Sequence, residues 1–378
     1  MTKKLHILFL SNWFPSRVKP TSGDFVQRHA EAVATKHKVT VIHAITDENL
    51  KSNIEIEVST QNNVKVVIGY IKKFKNPILK YFYFIKVYTK CFQEIDNFDI
   101  AHLNVTYPKG IVALYLKWFK KIPFIITEHW TGYLFPQNKS IGNLEKLISK
   151  LIIKSADFVC PVSNTLGNQM IELGFKGNYF TVGNVINTHN FIPSKKEDRP
   201  FTITHISALQ NPHKNISGML EVIKKLSKTV SNFIFIIVGN GNHNEVKSII
   251  NTLEIPKANI QLLGAQTQKQ LAQILQQSNV YVSFSNYETF GIVMPESIAC
   301  GCPVISTNTG ILAELGASDF YDIIPINDQD LLLKQLLLHL NNPIKLDANK
   351  MHRYIDSLYS IEKISAQFSE LYYKCLEN

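Results

Sequence analysis

Cysteine is scarce in this sequence, and its spacing fits neither a disulfide framework nor a metal site. The 378 residues contain five cysteines, which are Cys91, Cys160, Cys300, Cys302 and Cys375. Such an odd and sparse set excludes a disulfide-dense secreted domain and fits a reducing cytosol. We expect the Cys300 and Cys302 side chains to fill space in a core rather than to bind a metal or form a redox pair.

Long hydrophobic runs are also absent. No stretch approaches the roughly 18 uncharged apolar residues that a membrane-spanning helix requires. The apolar run at residues 5–10 is too short for the core of a signal peptide and suits a first buried strand. We therefore expect a cytoplasmic protein that is soluble or lies at the inner face of the cell membrane.

Acidic residues are outnumbered by basic ones, and the excess is confined to one half of the chain. The 40 Lys and Arg residues against 30 Asp and Glu residues give a net charge of +10. Residues 1–190 contain 24 basic and 13 acidic residues (+11), and the remainder contains 16 and 17 (−1). No helix-turn-helix, zinc-finger or aromatic ribonucleoprotein pattern accompanies this charge, so we expect no nucleic-acid partner.

Short apolar runs alternate with helical patterns along the whole chain. The predicted strands of the first half are residues 6–10, 39–43, 64–68, 100–103, 124–126 and 158–162. Those of the second half are residues 202–206, 233–238, 260–262, 280–284, 303–306 and 320–324. This alternation predicts an α/β protein with two parallel sheets, each covered by helices on both faces.

The polar segment at residues 193–200 is the best candidate for a linker, because prolines bound it and it has no apolar periodicity. We therefore predict an amino-terminal domain over residues 1–192 and a second domain that begins at residue 193.

Two glutamates flank a predicted helix start in the second half. Glu288 lies in a turn after a predicted strand, and Glu296 follows Pro295 in the first turn of the next helix. Backbone N–H groups at such a helix start attract an anion, and the two carboxylates can accept hydrogen bonds from hydroxyls. The pattern is therefore suited to a nucleotide sugar. In the alternative interpretation Glu296 only complements the helix dipole and Glu288 is a solvated turn residue.

The residues around this pair carry a more specific signal. The sequence Tyr-Glu-Thr-Phe-Gly at residues 287–291, Ala-Cys-Gly-Cys-Pro-Val-Ile-Ser at 299–306 and Thr-Gly at 309–310 resembles the donor site of retaining glycosyltransferases of the GT-B fold, family 4. The resemblance implies two Rossmann-like, doubly wound parallel-sheet domains that face a central cleft. It further implies that the second domain ends near residue 358 and that a helix over residues 359–378 crosses back to the first domain.

The resemblance also implies roles for single residues, including several outside this run. It assigns catalytic roles to His129, Lys214 and Glu288. We expect donor binding by Gly23, Asn215, Gly239, Phe290, Gly291, Ile292 and Glu296. The sequence departs from the family pattern at Ala208, where an arginine is usual, and at Ser22, which replaces a second glycine.

The function implied is transfer of a sugar from a UDP- or GDP-linked donor to a hydroxyl, with retention of anomeric configuration. The acceptor would be a glycan or a lipid-linked saccharide in surface polysaccharide or glycolipid synthesis. We expect no cofactor and no metal, since Asp328 and Asp330 are explained by helix capping. An epimerase or phosphorolytic enzyme of the same fold, and a noncatalytic nucleotide-sugar binding protein, are the alternatives.

One further segment, residues 72–90, interleaves lysines with aromatic residues. It can lie on an anionic membrane surface. An ordinary helix with inward-packed aromatics is the alternative interpretation.

Overall fold

A computed structural model describes residues 3–342 and 345–377 of the chain. The chain forms two compact units. The first unit comprises Met1–Val185 and Ile361–Asn378, and the second comprises Ile186–Ser360. Each unit contains one β-sheet with helices packed against it.

The first unit is built on a seven-stranded sheet with the order β3-β4-β2-β1-β5-β6-β7. All neighbouring strands are parallel except β3 and β4, which form an antiparallel pair at the edge. The strands are β1 (His6–Ser11), β2 (Lys38–Asp47), β3 (Ile54–Gln61), β4 (Val64–Lys72), β5 (Ile100–Asn104), β6 (Phe124–Glu128) and β7 (Phe158–Pro161).

Six helices cover this sheet. They are α1 (Asp24–Ala34), α2 (Pro77–Gln93), α3 (Gly110–Lys120), α4 (Asn143–Ser155), α5 (Asn164–Glu172) and the last helix of the chain, α13 (Ile361–Glu377). α13 packs against α1, and its Tyr372 hydroxyl lies 2.6 Å from Nδ1 of His102 on β5. The last helix therefore packs in the first unit, as the family resemblance implied.

The second unit is built on a six-stranded parallel sheet with the order β10-β9-β8-β11-β12-β13. The strands are β8 (Phe201–Ile206), β9 (Phe233–Val238), β10 (Ile260–Leu263), β11 (Val280–Ser283), β12 (Val304–Thr307) and β13 (Tyr321–Ile324). The helices are α6 (Asn211–Lys214), α7 (Ile216–Ser227), α8 (His243–Thr252), α9 (Gln268–Gln277), α10 (Val293–Ala299), α11 (Gln329–Asn341) and α12 (Ala348–Tyr359). Short 3₁₀ turns link several elements of both units.

Local sequence signals explain where many helices begin. Asn76 caps α2 by accepting hydrogen bonds from backbone N–H groups, and Pro77 occupies the first helical position, where no N–H is needed. Thr267 and Gln270 form a reciprocal capping box at the start of α9. Asp328 accepts from Leu331 N at 2.9 Å and caps α11, as its sequence context predicted.

The predicted fold class is confirmed, and all twelve predicted strands are present within one to a few residues. β3 was not predicted. The predicted domain boundary lay between residues 192 and 193, whereas the observed division lies between Val185 and Ile186. Residues 186–192 belong to the second unit because they bond to it: Thr188 Oγ1 donates to Asp356 Oδ1 at 2.6 Å.

The segment predicted to be a linker is also tied to the second unit. Lys196 Nζ donates to the Ser278 carbonyl at 2.6 Å, and the Glu197 N–H donates to Gln277 Oε1 at 2.9 Å. The five cysteines are all reduced and buried, as expected for core residues. Within residues 3–342 and 345–377, no helix is both long and apolar enough to span a bilayer.

Candidate active site

The centre of the second sheet is a topological switch point. The chain moves outward in one direction from β8 to β9 and β10, and in the other direction from β11 to β12 and β13. Ligands of open parallel sheets bind beyond the carboxyl ends of the strands at such a point. The segment between β8 and α7 contains Lys214, the last residue of the short helix α6, and the loop after β11 contains Glu288. The switch point therefore brings two predicted site residues together.

Lys214 and Glu288 form a direct ion pair at this edge of the sheet. Glu288 is only 9% exposed, and its Oε1 also accepts a hydrogen bond from Ser285 Oγ at 2.8 Å. The His213 ring stacks on Tyr287 with a centroid distance of 4.3 Å, and its Nε2 lies 3.8 Å from Glu288 Oε2. The carboxylate is therefore fixed by its neighbours.

The charge state of Glu288 follows from these neighbours. Burial opposes ionisation, but the Lys214 ammonium, the His213 ring and the hydrogen bonds from Lys214 and Ser285 outweigh it. The net effect holds the pKa of Glu288 below its ordinary value. Glu288 is thus an anion at neutral pH, so it can accept hydrogen bonds but cannot act as a proton donor.

The loop between Glu288 and helix α10 contains three consecutive backbone donors. Gly291 has φ +74°, a left-handed conformation that glycine adopts without a Cβ penalty. The Phe290 carbonyl accepts from Ile311 N at 2.8 Å, which fixes the loop to the segment after β12. Within the described chain, the N–H groups of Phe290, Gly291 and Ile292 have no hydrogen-bond partner. These three N–H groups are available to an anion.

Glu296 lies in the first turn of α10, as predicted, and it is 1% exposed. Tyr281 on β11 lies close to both acidic residues. Burial raises the pKa of Tyr281, and the Glu288 and Glu296 carboxylates raise it further. The two glutamates therefore share one neighbourhood around Tyr281.

Two of the predicted donor-binding residues, Gly239 and Asn215, have structural roles next to the segment that contains Lys214. A Cβ on Gly239 would lie 2.0 Å from the Ser207 carbonyl oxygen, so this position has no room for a side chain. Asn215 has φ +50° and caps α7 by accepting from Gly218 N at 3.3 Å. Both residues hold the loop that carries Lys214 in place. Whether they also contact the donor stays a prediction.

Gly23 and His129 belong to the first unit, where the structure brings their segments together. Gly23 has φ +75° and precedes α1, and a Cβ there would meet the Trp13 backbone at 2.3 Å. The Phe25 ring contacts His129 with a centroid distance of 4.4 Å, and Trp13 packs edge-on against Phe25. The loops after β1 and β6 thus form one cluster at the carboxyl edge of the first sheet.

His129 itself is buried, and neither ring nitrogen has a hydrogen-bond partner in the described part of the chain. Burial lowers the pKa of His129 well below its ordinary value, and the nearby His29 and His102 rings lower it further. The imidazole is therefore neutral at pH 7 and can donate one hydrogen bond and accept another.

Some residues that organise these loops were not assigned a role from sequence. Glu128 is fully buried and accepts hydrogen bonds from Thr106 N at 2.9 Å and Thr106 Oγ1 at 2.7 Å. Its other oxygen accepts from the N–H groups of His129 and Trp130, both at 2.9 Å. Its position beside His129 at the end of a predicted strand was the available signal. Ser285, at the end of the strand before Glu288, was missed in the same way.

No group of three or more His, Cys, Asp or Glu residues is arranged to hold a metal ion in residues 3–342 and 345–377.

Two protein-family models together match almost the whole chain. Residues 187–359 match the family model described as glycosyl transferases group 1. Residues 23–190 match the model described as glycosyltransferase family 4. The two matches meet close to the division between the structural units.

Individual relatives agree with this assignment. The chain is 25% identical over 331 residues to an uncharacterised glycosyltransferase of Methanocaldococcus jannaschii, which covers 87% of both chains. It is 26% identical over 310 residues to the N-acetyl-alpha-D-glucosaminyl L-malate synthase of Bacillus anthracis, covering 75% of this chain and 76% of the relative.

Solved structures share the fold at lower identity. The sucrose-phosphate synthase of Thermosynechococcus elongatus superposes with a TM-score of 0.79 at 17% identity, covering 99% of this chain and 100% of the other. HepE of Anabaena, solved in complex with UDP and glucose, superposes with a TM-score of 0.76 at 16% identity, covering 97% and 98%. The chain belongs to the GT-B glycosyltransferases, with a family 4 amino-terminal domain followed by a group 1 glycosyltransferase domain.

Proposed function

We propose that this protein transfers a hexose-type sugar from a nucleotide diphosphate donor to a hydroxyl of a glycan or lipid-linked acceptor, with retention of anomeric configuration. The second unit binds the donor, and the first unit binds the acceptor. The reaction uses no cofactor and no metal. It serves surface polysaccharide or glycolipid synthesis in the cytoplasm, at the inner face of the membrane.

One observation supports the proposed donor site most directly. Three backbone N–H groups, those of Phe290, Gly291 and Ile292, have no hydrogen-bond partner among the described residues and lie next to the partly buried Lys214–Glu288 pair at the switch point. N–H groups and an ammonium suit a diphosphate, because both are donors to anionic oxygens. The complex of Anabaena HepE with UDP and glucose supports a UDP-linked donor, although a GDP-linked donor fits the same contacts.

The chemistry follows from where charge develops. When the bond between the sugar and the diphosphate breaks, negative charge grows on the leaving phosphate. Lys214 and the three N–H groups stabilise that charge in a position they already occupy, which is the main source of electrostatic catalysis. Lys214 supplies the positive charge of this site without help from an arginine, because Ala208 replaces the arginine that is usual in the family.

The glutamates bind hydroxyls rather than attack the sugar. Glu288 is held as an anion by Lys214 and accepts hydrogen bonds from the sugar ring. Glu296 accepts hydrogen bonds from the ribose hydroxyls. Because Glu288 already engages Lys214 and Ser285, we do not assign it as a covalent nucleophile, and the acceptor attacks on the face that the leaving group vacates.

His129 contributes a neutral ring that can form hydrogen bonds. Its neutral ring has two nitrogens without partners in the described part of the chain, and the hydrogen bonds from the His129 and Trp130 N–H groups to Glu128 fix its backbone. A neutral imidazole can donate to a sugar hydroxyl or to a phosphate oxygen of the donor without adding a charge.

A donor screen tests the proposal. Purified protein is incubated with a panel of UDP- and GDP-sugars and an acceptor pool extracted from membranes, and products are detected by mass shift. We expect one donor class to give acceptor-dependent transfer that EDTA does not abolish. The anomeric proton coupling of the product, measured by NMR, reports retention.

Variants separate transfer from mere binding. Lys214→Ala and Glu296→Gln should each lower kcat/KM for the donor by about 10-fold or more, because each removes a charged hydrogen-bonding group. Lys225→Ala, an exposed lysine of the same unit, is the matched control and should retain full activity. Donor binding without turnover on any acceptor would support the noncatalytic alternative. Turnover of the donor to an epimer without transfer would support an epimerase.

A further inference from the structure

A cavity of about 1500 Å³ lies in the first unit between helices α2 and α3. α2 packs on β4 and β2, whereas α3 packs on β5 and α4. The cavity is larger than the roughly 300–1,000 Å³ of ordinary small-molecule sites. Its lining extends from residues 44–46, at the carboxyl end of β2, to Phe98 and Ile122, which precede β5 and β6. It is therefore an elongated groove that follows the direction of the strands.

The α2 side of the groove is a single helical stripe. The lining positions on this helix are Pro77, Lys80, Tyr81, Phe84, Ile85, Tyr88, Thr89 and Phe92. Their spacing of three or four residues places them on one face of the helix. An apolar face of this width normally packs against another element, because burying it is favourable. Here it faces the cavity.

The α3 side and the floor are also apolar. From α3 the groove is lined by Ile111, Val112, Tyr115 and Leu116, and from the sheet by Ile45 and Ile71. Two facing apolar stripes with a gap between them suit a flexible hydrocarbon chain, which can fill an elongated space without specific polar contacts.

The charged part of the lining is almost entirely basic. It includes Lys72, Lys73, Lys80 and Lys120, which are exposed, the buried Lys109, and one carboxylate, Glu48. Glu48 is already paired with Lys73 at 2.6 Å. In the described part of the chain, no carboxylate lies within ion-pair distance of Lys72, Lys80 or Lys120. The groove thus combines an apolar interior with uncompensated positive charge, which complements an amphiphile with an anionic head group.

We propose that this groove binds the hydrocarbon chain of a long-chain lipid phosphate that carries the acceptor, with the lysines contacting its phosphate. This inference rests on the proposed function and specifies its acceptor class. It differs from docking of α2 on a bilayer surface, which would use exposed side chains outside the groove. Ile78 and Phe82 of α2 are such side chains, with 77% and 54% exposure, whereas Ile85 lines the groove.

Binding of simple alkyl phosphates tests the groove directly. Octyl, decyl and dodecyl phosphate are titrated into the full-length protein below their micelle concentrations, with 1-decanol and inorganic phosphate as separate arms, by isothermal titration calorimetry. We expect affinity to rise about fourfold for each added methylene, because each one is buried. Decanol should bind more weakly than decyl phosphate, and inorganic phosphate should show no binding.

Matched variants locate the site on α2. Ile85→Glu places a charge in the groove and should weaken decyl phosphate binding at least tenfold. Ile78→Glu makes the same change on the same helix outside the groove and should not weaken it. Lys80→Glu should weaken decyl phosphate but not decanol, whereas Lys86→Glu, outside the lining, should change neither.

Three results would overturn the proposal: affinity that does not depend on chain length, equal losses in Ile85→Glu and Ile78→Glu, or no binding of any alkyl phosphate. Equal losses would instead indicate a bilayer-facing surface. The titration contains no donor, so it is independent of the donor site. Donor hydrolysis by the wild-type protein without lipid reports on the proposed function separately.

Discussion

The charge of Glu288 depends on Lys214. Glu288 is buried, so its anion is stable only because Lys214, His213 and Ser285 compensate it. Removing one member of a buried pair leaves an uncompensated charge, which costs more than the pair itself contributes. At the scale of single residues, substitutions in this pair should therefore change the free energy of unfolding and the transfer activity in different ways.

Substitution of the pair should separate the two effects. Lys214→Met should lower the free energy of unfolding by about 1–3 kcal/mol, because it leaves the Glu288 carboxylate without its cation. Adding Glu288→Gln in the double variant should recover most of that loss but none of the transfer activity. Urea unfolding and donor turnover, measured on the same preparations, give both quantities.

The control for this pair is Lys225→Met, because Lys225 is exposed and pairs with the exposed Asp330 at 3.2 Å. Surface pairs contribute little, so its stability should change by less than about 0.5 kcal/mol. A double variant that is no more stable than Lys214→Met would show that Glu288 does not carry an uncompensated charge.

The sequence singled out these two residues as candidates but did not indicate their contacts. Glu288 and Lys214 are 74 residues apart, and only the resemblance to a family placed both at the donor. The direct ion pair and the hydrogen bond from Ser285 depend on how the two loops meet at the sheet edge. Glu128 was missed because its position beside His129 does not show that its carboxylate is buried and accepts hydrogen bonds from Thr106, His129 and Trp130.

At the scale of elements, the loop that precedes α10 is shaped by glycines. Gly310 has φ +68°, and a Cβ there would lie 2.7 Å from the Phe290 carbonyl oxygen. Because that oxygen is backbone, it cannot move without displacing the loop that carries the N–H groups of Phe290, Gly291 and Ile292. The segment after β12 therefore sets the position of the loop that precedes α10. From the sequence, Gly310 was noted only as part of the Thr-Gly motif at residues 309–310.

Gly310→Ala should reduce donor turnover at least tenfold and lower stability by about 2–4 kcal/mol, through backbone strain and the clash together. Gly316→Ala is the matched control. Gly316 has a similar φ of +79°, but nothing lies within 4 Å of the position of an added Cβ. It should cost only the backbone strain, about 1–2 kcal/mol, and leave turnover intact.

Unfolding midpoints and turnover of the two glycine variants check this prediction. Equal effects of Gly310→Ala and Gly316→Ala on turnover would contradict it, since the clash would then play no part.

Strands buried on both faces were the easiest elements to predict, because they appear as continuous apolar runs. β3 was missed although Ile54, Ile56 and Val58 alternate with glutamates. It is an antiparallel edge strand that is largely exposed, so it lacks the apolar run that marks the others. The alternation itself was the signal that could have predicted it.

At the scale of the whole molecule, both units bury histidines in uncharged form. His29 in the first unit and His205 in the second have their pKa values lowered to about 4, chiefly by burial. In the unfolded chain the same groups have pKa values near 6.5. Below pH 6.5 the unfolded state therefore binds protons that the folded state does not, and folding stability falls as pH decreases.

We expect each of these two histidines to reduce stability by about 3 kcal/mol when the pH falls from 7 to below 4, with most of the loss between 6.5 and 4. Urea unfolding at pH 7.5 and pH 5.0 measures the loss. His205→Gln keeps polar groups near its partners, the Val282 carbonyl and Ser207 Oγ, and should lose about 2 kcal/mol less than wild type between these pH values. An identical pH dependence in the variant would contradict the assignment.

The division into two units was predicted, but its position was not. Prolines and charge mark residues 193–200 as a linker from sequence alone. In the folded chain these residues and the preceding ones bond to the second unit through Thr188, Lys196 and Glu197. Hydrogen bonds between distant segments decide such a boundary, and local composition does not contain them.

The central claim is that the start of α10 and its two glutamates hold a nucleotide sugar. The most direct test measures the affinity of wild-type protein and Glu296→Gln for the nucleoside diphosphate of the donor and for its 2′,3′-dideoxy analogue. Loss of the ribose hydroxyls should weaken binding to wild type by about tenfold or more and binding to Glu296→Gln hardly at all, because the hydroxyls donate to that carboxylate. An equal loss in both proteins, or no binding of the nucleotide to wild type, would contradict the account.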